Sequence, residues 1–411
     1  MAKATSVSFE EAINQSLTLA KNSPNIEYIS LFEALGRVLA EDVLCCKDLP
    51  CFNNSAMDGF AFAHIGENQK LIIKKSIFAG DVVEPCLGKN ECYKIMTGAQ
   101  VPSDADTIVA FEDCTVCDDN TIEVSTKTKK GNALRLRGEE KSKGDVILKK
   151  GERINSSACG ILASQGITHI KVYKKLSIAV FSSGDELKEP WQSANEHQIY
   201  NINSMALIAL FSQYGFEAHY CGVIPDDLEK TKQYFHAMKK YDAIITSGGI
   251  SEGEADFMLE ALVENGLEVL FNGISIKPGK PTMLGIMKET VVASMPGNPM
   301  AAFINAFLFL VPLLKKLQGE THYFFDCLYA KNATEFSVKS GRANVILGTL
   351  EDGIFKVFNN NKYGSGMITP LAYSTALLVT HDDTANFKEG CSVKVLPLNA
   401  FFANKQRVFT N

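Results

Sequence analysis

An α/β multidomain architecture is what this sequence predicts, and three observations predict it. From about residue 176 to 322, continuous apolar runs alternate with helix-like runs across short polar turns, the rhythm of a parallel sheet covered by helices. Before and after that unit, short β-type runs are separated by Gly, Pro, Asn and Asp, the pattern of smaller β-rich domains. The chain has 411 residues, enough for about two to four domains with real cores.

Composition narrows the class further. Charged residues make up 21% and hydrophobic residues 46%, ordinary for a globular protein. The net charge of −6 speaks against a nucleic-acid partner. The first residues, MAKATSVSFEEAINQ, have no apolar stretch of the kind that begins a secretory signal. The longest apolar run, Ala301–Leu314, is interrupted by Asn305 and Pro312 and reads as a buried helix, not a membrane span. Eleven scattered cysteines form no framework, so free thiols in a reducing cytoplasm are expected. Cys114-Thr-Val-Cys117 lacks a matching second pair for zinc, and small buried hydrophobes are the simpler reading.

Taken in order, Ser8–Leu19 and Leu31–Leu39 show apolar residues at helical spacing, and Ser8 with Glu11 is set for a capping box. From Asp48 to about Asp145, strands are expected over Leu71–Ile77, Cys92–Met96, Thr107–Phe111 and Thr121–Val124. The basic, glycine-broken stretch Lys127–Arg153 reads as solvated turns leading out of that domain. A new rhythm starts with strand Leu176–Phe181. Helix Asn203–Tyr214 follows, closed by Gly215. Then come strand Glu217–Ile224, helix Leu228–Lys239 and strand Asp242–Thr246. Strand Val291–Met295 and helix Met300–Leu317 complete the unit, and short strands resume from about Tyr323.

The chemistry is expected at the turns. In a parallel sheet, ligands sit beyond the carboxyl ends of the strands. SSGDE (Ser182–Glu186), PDD (Pro225–Asp227), SGGISEGEAD (Ser247–Asp256) and PGNP (Pro296–Pro299) all fall at that end. Ser183, Gly184, Asp185 and Glu186 offer a close backbone approach and two acids. One aspartate of the Asp226-Asp227 pair caps a helix and the other is free to face a ligand. Ser247, Gly248 and Gly249 are placed to aim amides at a phosphate, and Glu252, Glu254 and Asp256 to share Mg²⁺ with it. In Lys277-Pro278-Gly279-Lys280-Pro281, prolines hold two ammonium groups on a stiff turn, suited to a tetrahedral dianion. Asn54–Phe60 and Thr97–Pro102 are further turns that physics alone leaves undecided.

NSAMDGFA, IMTGAQVP, RGEE with a following KGD, SSGDEL, IPDD, SGGISEGEAD, KPGKP and PGNP occur in the order found in molybdopterin molybdenumtransferases, the family of bacterial MoeA and the gephyrin E domain. The resemblance spans nearly the whole chain, including GSG at 364–366. It implies an elongated four-part subunit. Residues 1–47 with 146–175 would form an elongated N-terminal linker domain and 48–145 a β-rich domain. Residues 176–322 would form a doubly wound, molybdopterin-binding α/β domain and 323–411 a small C-terminal β domain. It also implies an obligate homodimer and the insertion of molybdate into adenylylated molybdopterin, releasing AMP with Mg²⁺. A molybdopterin adenylyltransferase is a possible partner under this resemblance.

By motif position, the family's functional acids fall on Asp58, Glu186, Asp226 and Asp256, with Mg²⁺ on the last three. Its threonine falls on Thr97 and its anion-binding pair on Lys277 and Lys280. Pro296, Gly297, Asn298 and Pro299 fall on its substrate-binding turn. This chain departs from the family at Glu140 (usually Asp), Ala301 (usually Ser) and Glu252 (usually apolar). Two rival readings are an adenylyltransferase, which would not need the N-terminal half, and a gephyrin-like scaffold, for which no long linker or second module is seen.

Overall fold

The computed structural model describes residues 6–21, 24–224, 227–238, 240–248 and 257–398. The first helix, Phe9–Leu17, starts as the capping box requires. The Glu11 amide donates to Ser8 Oγ at 3.2 Å and the Ser8 amide to Glu11 Oε2 at 2.9 Å. This helix lies on the α/β domain, with Phe9 edge-on to Phe309 at 5.3 Å. The second expected helix is not there. Leu31–Leu39 holds only one 3-10 turn, Leu31–Glu33. Gly36 at φ 76° reverses the backbone, and Val38 and Leu39 bridge to Arg153 and Val172. Tertiary pairing wins here over helical spacing. Strands Ile26–Ser30 and His169–Tyr173 run antiparallel beside it, so segments far apart in sequence share the core of Ile29, Leu39, Leu148, Leu162 and Val172.

The β-rich part is a six-stranded sheet in the order Thr107–Ala110, Gly59–Phe62, Glu91–Ile95, Gln69–Ile77, Thr121–Val124, Thr115–Asp118. All four strands read from sequence in this region are present, within a residue or two at their ends. Gly59 is dictated by close approach, since a Cβ there would sit 2.0 Å from the Val109 carbonyl oxygen. That glycine starts the strand immediately after Asp58.

In the α/β domain, strands Glu217–Ile224, Ser177–Ser183, Ala243–Ser247 and Thr290–Met295 are neighbours and parallel. The sheet is nonetheless mixed. Met283–Met287 and Leu267–Asn272 extend it antiparallel, a hairpin-like edge that β–α alternation did not reveal. Alternate residues of each strand go to opposite faces. Ile178, Val180, Ile245, Val291 and Ala293 pack with Leu207 and Phe211 of helix Asn203–Gln213 and with Phe307 and Leu314. Ala179, Phe181, Ile244 and Val292 pack with Phe235 of helix Leu228–Met238 and with Ala261 and Leu262 of helix Phe257–Glu264. Both faces are covered, so the strands are apolar throughout and polar groups concentrate at their ends.

The last helix of the α/β domain runs over Pro299–Leu317, 19 residues, long and apolar enough by length and composition to cross a bilayer. Its apolar stretch is 78% buried inside this fold, the core role that the sequence suggested. A π-turn over Ala306–Leu310 precedes Pro312 and makes room for the missing N–H and the ring.

Five strands of the C-terminal part, Ala343–Glu351, Ile354–Val357, Leu328–Asn332, Ser392–Pro397 and Ala376–Val379, close on themselves, the last pairing with the first. The α/β domain adds a sixth. Ile276–Lys277 lies parallel to Ala343–Asn344. At the opposite end of the α/β domain, Glu320 has a 3% exposed side chain and is held by the Arg153 guanidinium and by Lys315 Nζ at 2.5 Å. Arg153 also donates to the Gly36 carbonyl at 2.8 Å, so this cluster fastens the N-terminal part to the α/β domain. Glu320→Ala leaves two cations without their partner. It is expected to lower the unfolding free energy by about 3 kcal/mol in a urea titration followed by circular dichroism. A loss under about 1 kcal/mol, the scale of a surface pair, would remove the cluster from what holds the domains together.

Candidate active site

Two adjoining clefts open where the α/β and C-terminal domains meet. The first, about 1030 Å³, lies beyond the carboxyl ends of strands Ser177–Ser183, Ala243–Ser247 and Thr290–Met295. Its wall includes Ser183, Gly184 and Glu186, then Ser247 and Gly248, then Pro296, Gly297, Asn298 and Pro299. The second, about 750 Å³, contains Lys277 and Lys280 and shares Pro281, Pro296 and Asn298 with the first. Three turns far apart in sequence thus converge as their strand ends predicted.

Local bonding explains the arrangement. Asn203, the first residue of helix Asn203–Gln213, donates to Ser247 Oγ at 2.6 Å and to the Gly297 carbonyl at 2.7 Å. Ser247 Oγ in turn donates to the Pro296 carbonyl at 3.2 Å. The start of this helix and the start of Pro299–Leu317 both face the first cleft, a polarity favourable to anions. Among the described residues Asn203 Oδ1 is buried without a partner, an open acceptor at the cleft wall. Gly184 takes φ 139° and Gly248 φ 86°. Added Cβ atoms would lie 2.6 Å from Glu186 Oε2 and 2.8 Å from the Ser183 carbonyl.

One expectation is corrected here. The Gly248 amide is not free for a phosphate but donates to the Met295 carbonyl at 3.1 Å, because the parallel ladder runs one residue past the strand end.

The second cleft is built on the KPGKP turn. Gly279 adopts φ 105°, and its carbonyl accepts from Asn305 Nδ2 at 2.8 Å and from Thr282 Oγ1 at 2.9 Å. The Asn298 amide reaches across the domain junction to Ser365 Oγ at 3.0 Å. The C-terminal domain contributes Ser337, Lys339, Arg342, Asn361 and Ser365 to the wall. Asn361 arrives on a left-handed turn of three asparagines, Asn359 to Asn361, at φ 43°, 50° and 62°. Asparagine tolerates this conformation best among side-chain-bearing residues. Lys277, Lys280, Lys339 and Arg342 line this cleft, with no acid among its described lining residues. Among the described residues none of the four makes an ion pair, and Arg342 Nε is buried without an acceptor. Among the described residues Glu186 is the sole carboxylate in the wall of the first cleft.

Other expected site residues fall elsewhere. Asp185 is exposed and lies outside both cleft walls. Asp226, Gly249 and Asp256, like Glu252 and Glu254, lie outside the described residues. Asp227 does cap its helix, accepting from the Lys230 amide at 2.8 Å. Asp58 and Thr97 meet each other, with the Thr97 amide and hydroxyl both donating to Asp58 Oδ1 at 2.7 Å. Both residues are exposed, and neither lines a cleft of its own chain. Asn203, Lys339, Arg342 and Asn361 were not singled out from sequence. A lone arginine or lysine in a turn carries no spacing signal, and only the domain junction gathers them.

Fold and site together define a multidomain α/β protein with a polar cleft opening onto a cationic one, a site for an extended anionic ligand. Comparison with known proteins gives this class a family. Residues 7–166 match the MoeA N-terminal region (domains I and II), 179–316 a probable molybdopterin binding domain, and 329–398 the MoeA C-terminal region (domain IV). A molybdopterin molybdenumtransferase of Haemophilus influenzae is 33% identical, covering 91% of this chain and 94% of that one. One from Staphylococcus epidermidis is 32% identical over 96% of each. The crystal structure of the molybdopterin biosynthesis MoeA protein from Pyrococcus horikoshii OT3 superposes with a TM-score of 0.82 at 27% identity, over 96% of this chain and all of that one. The chain belongs to the MoeA family of molybdopterin molybdenumtransferases.

The Asp58–Thr97 contact yields a pH prediction. Hydrogen bonds from the Thr97 amide, and then its hydroxyl, hold the Asp58 carboxyl below the 3.8 ordinary for aspartate. A carboxyl lowered in the folded state adds stability that is fully present above its unfolded value and fades as pH falls through the folded one. Asp58→Asn is therefore expected to be less stable than wild type near neutrality, with the two unfolding curves converging in acid. A gap that persists undiminished in strong acid would refute the assignment.

Proposed function

We propose that this chain is a cytoplasmic, homodimeric molybdenum insertase that joins molybdate to adenylylated molybdopterin and releases AMP. The observation that carries this reading is the division of charge between the joined clefts. Among the described residues, four cations without an acid suit a tetrahedral oxyanion, and the first cleft, with two helix starts, Glu186 and no lysine or arginine, suits the nucleotide end of the substrate. Asn298 and Pro296, in the wall of both, mark where the two reactants would meet.

In this reading Lys277 and Lys280 hold molybdate on the stiff turn, with Lys339 and Arg342 opposite from the C-terminal domain. Holding both reactants converts a two-body encounter into a step within one complex. Ala301 lies in the cationic cleft, so no hydroxyl is offered at that position. Ser337, Ser365 and Tyr363 carry the hydroxyls among its described lining residues, and that of Tyr363 already accepts from the Leu347 amide at 2.7 Å. Glu186, a hard oxygen donor in the wall of the first cleft, is one ligand proposed for an Mg²⁺ shared with substrate phosphates; among the described residues no group of three potential ligands comes together. Bound there, Mg²⁺ would neutralise phosphate charge. Asp226 and Asp256 are the further acids proposed for it.

The homodimer supplies what each chain lacks. Asp58 and Thr97 are paired and exposed but belong to neither cleft of their own subunit, so we assign them to the cleft of the partner. A run of exposed apolar side chains supports such an interface. Ile26 and Tyr28 lie on one face of their strand, and Phe32 (99% exposed) and Leu35 follow at its end.

The direct test is AMP release from adenylylated molybdopterin with and without molybdate. Lys277→Ala and Lys280→Ala are expected to raise the half-saturating molybdate concentration at least tenfold, as loss of a charged hydrogen-bond donor does. Arginine is not expected to restore either fully, because a planar fork replaces a point charge. Wild-type molybdate dependence in the double alanine variant would sink the assignment.

A second test addresses the composite site. Mixing inactive Asp58→Ala with inactive Asp256→Ala puts both lesions in one cleft of each mixed dimer and none in the other. With random exchange, roughly a quarter of wild-type activity should return. Demonstrated exchange without recovery would place the whole site within one subunit.

A further inference from the structure

Behind the first cleft lies a polar network that the reaction, as read above, does not use. Glu189 is buried, 8% exposed, on the excursion that leaves strand Ser177–Ser183 and returns at helix Asn203–Gln213. Its Oε1 accepts from the Tyr220 hydroxyl and, at 3.4 Å, from Asn201 Nδ2. Asn201 Nδ2 also donates to Tyr220 Oη at 3.0 Å. The other end of the same amide, Asn201 Oδ1, accepts from Ser182 Oγ at 2.9 Å and from the Ser204 amide at 3.3 Å. Asn201 and Ser182 both line the cleft. Every polar atom of the Asn201 side chain is therefore engaged, and its orientation is set from behind.

The network is placed where the wall is weakest. The excursion carries Glu186, Ile199 and Tyr200 into the cleft wall. Its own regular structure is a two-rung ladder, Leu187–Lys188 against Ile199–Tyr200. Two rungs cannot fix a wall, since even a longer isolated two-stranded ribbon is marginal in water. A buried carboxylate is an expensive way to hold a loop that an apolar side chain would pack more cheaply. Among the described residues Glu189 Oε2 has no partner, so the burial is not fully offset. What the carboxylate adds over an apolar residue is direction. It orients Tyr220 and Asn201, and through Asn201 the end of the strand and the first turn of the helix.

We propose that Glu189 and Tyr220 are positioning residues for the first cleft, clamping Asn201 so that the Glu186–Asn203 wall is preformed for the nucleotide end of the substrate. The proposal rests on the first cleft being the nucleotide subsite. The test uses the full-length protein and AMP as the probe, titrated by calorimetry, alongside the molybdate dependence of AMP release.

Tyr220→Phe removes one hydroxyl, and Glu189→Ala removes the clamp. Each is expected to weaken AMP binding about tenfold while leaving half-saturating molybdate unchanged, because Lys277 and Lys280 stand on other elements. Glu189→Gln keeps the acceptor facing Tyr220 and is expected to retain most of the affinity. Unchanged AMP affinity in both Tyr220→Phe and Glu189→Ala overturns the proposal. So does an equal loss of AMP and molybdate binding, or a Glu189→Gln variant as weak as Glu189→Ala. Asn203→Ala separates this from failure of the premise. If AMP does not bind wild type, or binds Asn203→Ala as well as wild type, the reading of the first cleft fails and the proposal falls with it.

Discussion

The two-residue pairing of Ile276–Lys277 with Ala343–Asn344 is the contact on which the site depends. It adds a strand from the α/β domain to the C-terminal sheet, and so places the KPGKP turn at the seam between them. The turn is then held from the other side by Asn305 and Thr282, which bind the Gly279 carbonyl. With its backbone fixed twice, the turn keeps Lys277 and Lys280 in one cleft with Lys339 and Arg342. Four cations at close quarters repel one another, and without this framework the chain would have no reason to gather them. An anionic ligand relieves the repulsion, which is a physical ground for affinity and for selectivity by charge.

The second organising constraint is the burial of the parallel strands on both faces. Apolar side chains fill each face, so the polar groups of the domain are confined to the ends of the strands. Short connections then bring SSGD, SGG and PGNP together at the carboxyl end. The bonds among Asn203, Ser247 and Gly297 lock the SGG and PGNP turns and the start of helix Asn203–Gln213 into one wall. Much of what looks like ligand-binding chemistry there is wall-building. Ser247 is committed to Asn203 and Pro296, and the Gly248 amide to Met295. The groups left open are Asn203 Oδ1, Glu186 and the two helix starts. They suit a ligand of mixed character, polar and anionic at one end.

The N-terminal half contributes through rigidity. The Arg153–Glu320–Lys315 cluster fixes the N-terminal part to the α/β domain, and the β-rich sheet presents Asp58 and Thr97 as a bonded pair. A pair held by two hydrogen bonds has little orientational freedom left to lose on binding, which favours a role at a distance from its own domain's core. The exposed apolar side chains along Ile26–Leu35 are the surface proposed for a second subunit.

The sequence by itself determined the parts whose signals are local. The capping box at Ser8, strand Glu217–Ile224, the helix from Asn203 and the turns at the strand ends all follow from spacing and side-chain chemistry within a few residues. The ordered motifs determined the family. Tertiary structure decided wherever distant segments compete. Leu31–Leu39 has helical spacing yet is drawn into bridges with Arg153 and Val172, since long-range pairing outweighs a weak local preference. The antiparallel edge Leu267–Asn272 with Met283–Met287, the gathering of Arg342 and Lys339 beside Lys277, and the Glu189–Tyr220–Asn201 network are likewise invisible in one dimension. Their partners lie tens of residues apart, and only chain packing fixes which groups meet.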